Sequence, residues 1–212
     1  MGVFKGGITM FLKISELKKL MKAAYKNGTL IIGNAPLTGE DSEGLIIAGG
    51  YWAFGIEYDH APKELKAAVM ELGGEIPYDG HCYRALSEGN QEHIGFTEHS
   101  NPAALFKNCT YDLTITKVVI HFLNSVRLLQ NEAQGHIIGI SNDAIKLIDR
   151  KSIDYDAGEY EPIGPKSAGN DIVCWGNNIC YLAVWPYKLL NEDTDTERKM
   201  FIKELEQITL LS

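Results

Sequence analysis

The first helical pattern in the chain lies near its amino terminus. Apolar residues recur there every three or four positions between Ser15, a residue type favoured at helix N-caps, and Asn27–Gly28, a pair that commonly ends helices. These apolar positions are Leu17, Leu20, Met21, Ala24 and Tyr25. A short apolar segment, residues 8–14, comes directly before them. The pattern predicts a strand that runs into an amphipathic helix.

A second helical pattern begins at Pro62, since proline is favoured in the first turn of a helix, and stops at Gly73–Gly74. Its inward positions are Leu65, Ala68, Val69 and Leu72. Short apolar segments around the two helices read as strands. They are residues 29–33, 44–48, 51–58, 75–78, 82–86 and 93–97. The first hundred residues therefore predict the element order β-α-β-β-β-α-β-β-β.

The second half follows a connector at residues 98–109 and repeats the opening pattern. Shifted by 101 positions, Ile14–Ser15 falls on Ile115–Thr116, which predicts a third helix over residues 116–129. Its apolar stripe is Val118, Phe122, Val126 and Leu129.

The rest of the chain predicts further strands and one more helix. The strands are residues 113–115, 135–141 and 144–149, followed by a hairpin over 172–185 that turns at 176–178. The helix is amphipathic and covers residues 194–209, with Met200, Phe201, Leu205 and Ile208 on its apolar side. The whole pattern predicts an α+β fold of two β-α-β-β-β units with an added C-terminal helix.

The composition, 45% hydrophobic and 23% charged over 212 residues, is typical of a globular protein. No apolar run approaches the roughly 20 residues of a membrane-spanning helix, and residues 1–12 lack the apolar region of a secretory signal, so we expect a cytoplasmic protein. Met10 is an alternative start of the natural chain. The four cysteines include no C-x-x-C pair. Cys174 and Cys180 flank the predicted hairpin turn, where two buried free thiols are favoured over a facing pair.

Positive charge is concentrated at the start of this acidic chain. Residues 1–30 hold six lysines and one acid for a net charge of +5, so the other 182 residues carry −13 and the whole chain −8. Most of these lysines recur at about four-residue intervals on one side of the first predicted helix: Lys18, Lys19, Lys22 and Lys26. Smaller cationic groups, Lys63 with Lys66 and Lys117 with Arg127, lie on the second and third predicted helices. Basic helix faces indicate an anionic partner, although lysines also solvate ordinary helix surfaces.

Two successive units that each open with a strand and a lysine-bearing helix resemble DNA sliding clamps, the ring-shaped processivity factors of replication. The likeness in element order covers most of residues 8–189. Residues 45–53 (LIIAGGYWA) are similar to the A-T-D-G-H-R-L-A stretch of bacterial clamps, with Trp52 in place of the arginine. Residues 181–189 (YLAVWPYKL) resemble their closing Y-V-V-M-P-M-R-L. Residues 157–170 are too rich in glycine and proline to form the second helix of a second clamp domain.

The resemblance implies a non-catalytic protein that encircles duplex DNA and needs no cofactor or metal. Two clamp-like domains, residues 8–100 and an abbreviated 108–190, with an extension at 191–212, would form a ring of three copies, and the small size would suit a phage or prophage. Basic helix faces would attract the DNA backbone without reading sequence. The residues would be Lys18, Lys19, Lys22, Lys26, Lys63, Lys66, Lys117 and Arg127. A DNA polymerase or another replication protein would insert a peptide into an apolar groove at Val184, Trp185, Pro186, Tyr187 and Leu189.

Two other classes fit the same sequence. One is a small enzyme or metal-binding protein centred on Cys82, His81, His93 and His99, because thiol and imidazole groups supply nucleophiles, bases and zinc ligands. The spacing of these residues matches no compact zinc motif, and the chain has no phosphate-binding glycine loop or nucleophile elbow, which favours a protein that is not an enzyme. The other is a monomeric adaptor that uses its C-terminal helix to bind a partner.

Overall fold

The fold was obtained as a computed structural model. It describes residues 10–37, 43–95, 101–121, 125–131, 133, 135–153, 155, 158–169, 171–189, 196–208 and 210. Over these residues the fold is α+β with antiparallel sheets, which confirms the predicted class. No helix in this part of the chain is long and apolar enough to cross a membrane.

Twelve strands in the described residues form two antiparallel sheets. They are β1 (Ile31–Asn34), β2 (Gly44–Ala48), β3 (Trp52–Glu57), β4 (Cys82–Ala85), β5 (Gln91–Ile94), β6 (Tyr111–Asp112), β7 (Thr114–His121), β8 (Ser125–Gln130), β9 (Ile137–Ser141), β10 (Ile163–Ser167), β11 (Val173–Gly176) and β12 (Cys180–Val184). The main sheet has the order β5-β4-β1-β2-β3-β12-β11-β10-β6, and the second sheet has the order β7-β8-β9.

Five α-helices in the described residues pack on these sheets. They are α1 (Ile14–Lys26), α2 (Lys63–Gly73), α3 (Pro102–Lys107), α4 (Asn142–Leu147) and α5 (Thr196–Glu206). The last of them confirms the predicted C-terminal helix. Short 3-10 turns lie at Tyr58–His60, Ser87–Gly89 and Arg150–Ser152.

Alternation along the strands gives the main sheet two apolar faces. One face, which includes Ile32, Leu45 and Phe54, packs on α1 and α2 in the main core. The other face packs on α3, where Ala103 lies among Ile46 and other buried side chains. Helices α1 and α2 therefore lie on one side of the main sheet and α3 on the other.

The second sheet is also apolar on both faces. Leu129 and Ile138 belong to the main core, whereas Val126 and Leu128 pack with Ile202 of α5. Helix α5 is thus docked on the face of the second sheet that points away from the main core.

The helix predicted over residues 116–129 is wrong, because β7 and β8 form an antiparallel pair there. Strand β7 is rich in β-branched residues, whose stiff side chains favour a pleated sheet over a helix. Val118 and Val126 do recur at helical spacing, but they lie on two different strands. Phe122 of the predicted stripe lies outside the described residues. The proposed repeat of the opening pattern is wrong as well, since Ile14 begins a helix and Ile115 lies in a strand.

The structure differs from two further predictions because a capped helix begins at each of these places. The strand predicted over residues 144–149 is wrong, and α4 forms there because the Ser141 side chain accepts a hydrogen bond from the Asp143 N–H at the helix start. The predicted connector contains α3, which begins at Pro102 after Asn101 accepts hydrogen bonds from the next turn.

The strands predicted around the first two helices are only partly formed. Residues 75–78 are not a strand, and residues 10–13 contain only a single bridge from Leu12 to Ile148. Residues 8 and 9 lie outside the described part of the chain. Lys13, not Ser15, is the N-cap of α1. The other predicted strands of the first half correspond to β1 to β5 within a few residues.

The main sheet and the main core run through both predicted units. Strand β3 pairs with β12 from Trp52 opposite Val184 to Ile56 opposite Cys180. The main core likewise combines Leu17 of the first half with side chains of the second half. The division into residues 8–100, 108–190 and 191–212 stays a prediction.

Candidate functional surfaces

The lysines of α1 lie along one flank of the helix. Leu17, Met21 and Ala24 are buried in the main core, so the positions about a quarter-turn to a half-turn around the axis face outward. These outward positions hold most of the predicted DNA-binding residues. Lys19, Lys22 and Lys26 are exposed, and Lys18 is half-buried.

Helix α2 lies beside α1 and adds Lys63 and Lys66. Lys63 is exposed, whereas the Lys66 ammonium lies 3.8 Å from the centroid of the Tyr58 ring, in a cation–π contact. Lys22 of α1 forms an ion pair of 3.6 Å with Glu71 of α2. This pair joins the two helices across their boundary.

We call the outer surface of α1 and α2 the basic face. It carries six cationic side chains, Lys18, Lys19, Lys22, Lys26, Lys63 and Lys66, against three acids, Glu16, Glu64 and Glu71. Glu16 forms an ion pair of 2.7 Å with Lys19. Exposed pairs of this kind are weak and exchange readily, so they leave the net positive charge of the surface in place.

The other two predicted DNA-binding residues are not on a helix. Lys117 is exposed on β7. Arg127 is half-buried on β8, where its guanidinium donates to Asn142 Oδ1 and to the Thr116 carbonyl oxygen, each at 3.1 Å. Arg127 therefore holds α4 against the second sheet, and the placement of these two residues on a third basic helix is wrong.

An apolar groove opens on the opposite side of the main sheet from the basic face. Its volume is about 150 Å³. We call it the sheet groove, and its lining residues are Ile31, Gly33, Ile46, Ala48, Gly49, Ala53, Cys82, Ile94, Gly95 and Trp185. Small residues at neighbouring positions of β1, β2 and β3, such as Gly33, Ala48 and Ala53, leave this hollow.

Trp185 links the sheet groove to the predicted peptide-binding segment. It lines the groove with 36% of its surface exposed, whereas Trp52 and Trp175 are almost fully buried. Pro186 and Tyr187 beside it are half-buried.

The other predicted peptide-binding residues are internal. Val184 is fully buried in the main core. Leu189 packs with Val126 under the second sheet. The structure therefore brings only Trp185 of the five to the groove.

Of the described residues in the predicted cysteine–histidine group, Cys82 and His93 are not brought together. Cys82 lies opposite Ile94 and Tyr83 lies opposite His93, so the Cys82 and His93 side chains project from opposite faces of the sheet. The Cys82 thiol donates to the Ile94 carbonyl oxygen at 3.1 Å, and burial raises the pKa of this thiol. A buried, protonated thiol is a poor nucleophile. His81 is exposed, and His99 lies outside the described residues.

No group of three or more potential metal ligands comes together in the described part of the chain.

Helix α5 buries Ile202, while Met200, Phe201 and Ile208 of the predicted apolar side stay exposed. Leu205 of the predicted apolar side does pack with Ile202 on the second sheet, so the prediction is right for Leu205 and wrong for the three exposed residues.

No protein-family model, curated protein or solved structure matches this chain. Function is therefore inferred from the surfaces themselves. The sequence indicates the lysines of the basic face and an apolar groove at Trp185, but the strands β1 to β5 that line the sheet groove were missed. Its signal in the sequence is the set of small residues that alternate with large apolar ones along β1 to β3.

Proposed function

We propose that this protein is a non-catalytic DNA-binding protein, located in the cytoplasm, whose basic face contacts the phosphate backbone of duplex DNA. The observation that carries the proposal is the placement of α1 beside α2. It gathers six lysines on one surface of a molecule whose net charge is −8. A positively charged surface on an otherwise acidic protein suits binding to a polyanion such as DNA.

The form of the basic face favours contact with phosphates over reading of bases. Lysine ammonium groups are mobile point charges that suit phosphate oxygens, and bidentate arginines, the commonest specific readers of guanine, are missing from α1 and α2. Binding of this kind is independent of sequence and weakens steeply with salt. Loose attraction also suits a protein that slides along DNA.

The ring of three copies is the more specific form of the proposal. It requires the basic faces of the three copies to line one hole, with the acidic remainder of each chain outside. Light scattering at micromolar concentration tests this form directly: a trimer supports the ring, and a monomer that still binds DNA through Lys19 and its neighbours leaves only the simpler proposal.

The basic face is tested by a neutralising triple variant with a matched control. Lys19→Gln, Lys22→Gln and Lys26→Gln alter three exposed lysines of α1, whereas the control alters three exposed lysines elsewhere. The control is Lys107→Gln, Lys151→Gln and Lys203→Gln, which changes the net charge by the same amount. Association with a fluorescent duplex is measured at several salt concentrations.

We expect the α1 variant to lose most of its low-salt association. The slope of log affinity against log salt should become shallower by about 0.9 for each phosphate that the variant no longer neutralises. The control should lose much less. Equal losses in both variants would assign the effect to overall charge, and an unchanged α1 variant that remains folded would reject the basic face as the contact surface.

A second candidate function, docking of a partner peptide, is favoured by the sheet groove. Its volume of about 150 Å³ is the size of cavity that holds one aromatic ring. We propose that an apolar side chain of a peptide, such as one from a DNA polymerase, occupies the groove beside Trp185. Because the groove and the basic face lie on opposite sides of the sheet, both ligands can bind together.

Trp185 reports on this docking because the other two tryptophans are buried. A short peptide with a central phenylalanine should protect its fluorescence from acrylamide, and the same peptide with alanine should not. Ala48→Leu fills the groove and should abolish the protection, whereas Ala67→Leu, at a position on α2 away from the groove, should leave it intact. Equal protection by the alanine peptide would reject the groove as the docking site.

A further inference from the structure

Two cysteines distant in sequence meet beneath α3. Cys109 follows the end of α3, and Cys174 lies on β11. Both thiols are free and buried, at 7% and 0% exposure, and belong to one apolar cluster with Ile172 and Ala183. The facing pair considered from the sequence is a different one. Cys174 lies opposite Ala183 across the β11–β12 hairpin, not opposite Cys180.

The two thiols are neighbours in this buried cluster, and their side chains interact with each other. The Cys174 thiol donates a hydrogen bond to the Cys109 sulfur. Cys109 in turn lies 3.4 Å from the Leu105 carbonyl oxygen, one helical turn before it. Both sulfurs are protonated thiols in this arrangement: Cys174 donates to Cys109, and Cys109 donates to the Leu105 carbonyl oxygen.

A lysine adjoins the pair from the neighbouring strand. Lys166 of β10 lies opposite Cys174 in the sheet register, and its ammonium is 3.6 Å from Asp112. The hydrogen bond from Cys174 lowers the pKa of Cys109, burial opposes the shift, and the charge of Lys166 lowers the pKa further. The same hydrogen bond raises the pKa of Cys174. Cys109 is therefore the sulfur that ionises first.

The other two thiols have different surroundings. Cys180 is fully buried and its pKa lies well above the usual range, with burial as the main cause. Burial also raises the pKa of Cys82, whose hydrogen bond is to a carbonyl oxygen. Cys82 and Cys180 therefore serve as internal controls for the reactivity of Cys109 and Cys174.

We infer that Cys109 and Cys174 form a reversible disulfide when the protein meets a hydroperoxide. The placement of two free thiols in one buried cluster and the lysine that lies opposite Cys174 in the sheet carry this assignment. The site is independent of the basic face and of the sheet groove.

The chemistry balances in two steps. The Cys109 thiolate attacks one peroxide oxygen, the O–O bond breaks, and Cys109 becomes a sulfenic acid, while the leaving hydroxide takes up the proton that Cys109 released and becomes water. The Cys174 sulfur then attacks the Cys109 sulfur, an S–S bond forms, and the S–O bond breaks. The hydroxyl group leaves as water with the proton of Cys174. In sum, two thiols are oxidised to one disulfide and one hydrogen peroxide is reduced to two waters.

The disulfide would tie the end of α3 to β11. Helix α3 covers part of the same sheet face that carries the groove, and Ile46 contacts both. A covalent link at the base of α3 fixes this helix against the main sheet. A dithiol reductant returns the pair to the free thiols.

The wild-type protein tests the assignment without any variant. Reduced, folded protein is treated with dilute hydrogen peroxide, alkylated in denaturant and digested for mass mapping. We expect one linked peptide pair that joins Cys109 to Cys174 and disappears after dithiothreitol, with Cys82 and Cys180 still alkylated. Oxidation of Cys82 or Cys180 before this pair, or no link between Cys109 and Cys174 while the protein stays folded, would overturn the inference.

Two serine variants distinguish the roles of the sulfurs. In Cys174→Ser the reaction should stop at a sulfenic acid on Cys109, which dimedone traps. In Cys109→Ser no dimedone adduct should form at Cys174. The reverse pattern, or adducts in neither variant, would overturn the assignment of Cys109 as the attacking sulfur. If either variant fails to fold, the wild-type map still decides whether the disulfide forms.

Discussion

Arg127 donates a hydrogen bond from its guanidinium to the backbone carbonyl oxygen of Thr116 at 3.1 Å. Its second donor reaches Asn142 Oδ1 at the start of α4, also at 3.1 Å. One side chain thus joins β7, β8 and α4. The sequence suggests that Arg127 is a surface cation, but its guanidinium holds the second sheet and α4 together.

Replacing Arg127 should destabilise the fold and leave DNA association unchanged. Arg127→Met keeps most of the length of the side chain but removes both hydrogen bonds, so we expect the free energy of unfolding to fall by about 1–3 kcal/mol. Urea unfolding measures this change. Lys117→Met, on the exposed side of β7, is the control and should shift the value by no more than about 0.5 kcal/mol. A folded Arg127→Met protein with weakened DNA association would contradict this assignment.

Removal of one acid should strengthen the basic face. Glu71 lies 3.6 Å from Lys22, and both side chains are more than half exposed. Glu71→Gln frees the lysine and adds one unit of positive charge, so low-salt association with duplex DNA should tighten by roughly two- to five-fold. The gain should vanish at high salt. Glu92→Gln breaks a similar exposed pair, with Arg84 near the β5 edge of the main sheet, and should have no such effect.

The close approach of α2 to the main sheet depends on Gly73. A Cβ atom at this position would overlap the Tyr83 hydroxyl and would lie 2.7 Å from Ile32 Cδ1. Gly73→Ala should therefore lower the free energy of unfolding by about 1–3 kcal/mol, the usual cost of overpacking. Gly95→Ala is the matched control because nothing lies within 4 Å of its Cβ position. Equal unfolding midpoints for the two variants would show that α2 can move away from the main sheet at no cost, which would contradict the prediction.

Tyr83 makes the fold sensitive to alkali. Burial raises its pKa from 10.0 to about 12, with its hydroxyl donating to the Glu75 carbonyl oxygen. Since the folded state holds this proton more tightly than the unfolded chain, its stabilising contribution is complete below pH 10.0 and is lost as the pH rises through about 12. Unfolding by urea across this window should show a smaller loss of stability for Tyr83→Phe than for wild type. Tyr78→Phe, at an 82% exposed position, should behave as wild type.

Oxidation of the thiol pair should stabilise the protein if the disulfide forms without distortion. A link between Cys109 and Cys174 closes a loop of more than sixty residues, for which the chain-entropy relation gives about 4 kcal/mol as an upper value. The melting temperature of peroxide-treated protein should therefore rise and return after dithiothreitol. If peroxide leaves the melting temperature of Cys109→Ser unchanged, the stabilisation of wild type comes from this pair. An equal rise in that variant would contradict the prediction.

Sequence alone located the elements whose local signals agree with their packing. The apolar positions Leu17 and Met21 recur at helical spacing and are buried as α1, and residues 44–48 coincide with β2 because both of its faces are covered. The hairpin over 172–185 is also predictable, since turn residues separate two apolar runs. Lysines on the outward flank of α1 follow from the same periodicity.

Tertiary structure decided what local patterns leave ambiguous. Val118 and Val126 fit a helical stripe, but cross-strand pairing between β7 and β8 satisfies their backbone groups, and both side chains join the apolar cluster on the face covered by α5. The function of Arg127, the sheet groove and the contact of Cys109 with Cys174 depend on strands distant in sequence. Periodicity fixes which side of an element is apolar, whereas long-range packing fixes which side chains meet, and only the second determines a site.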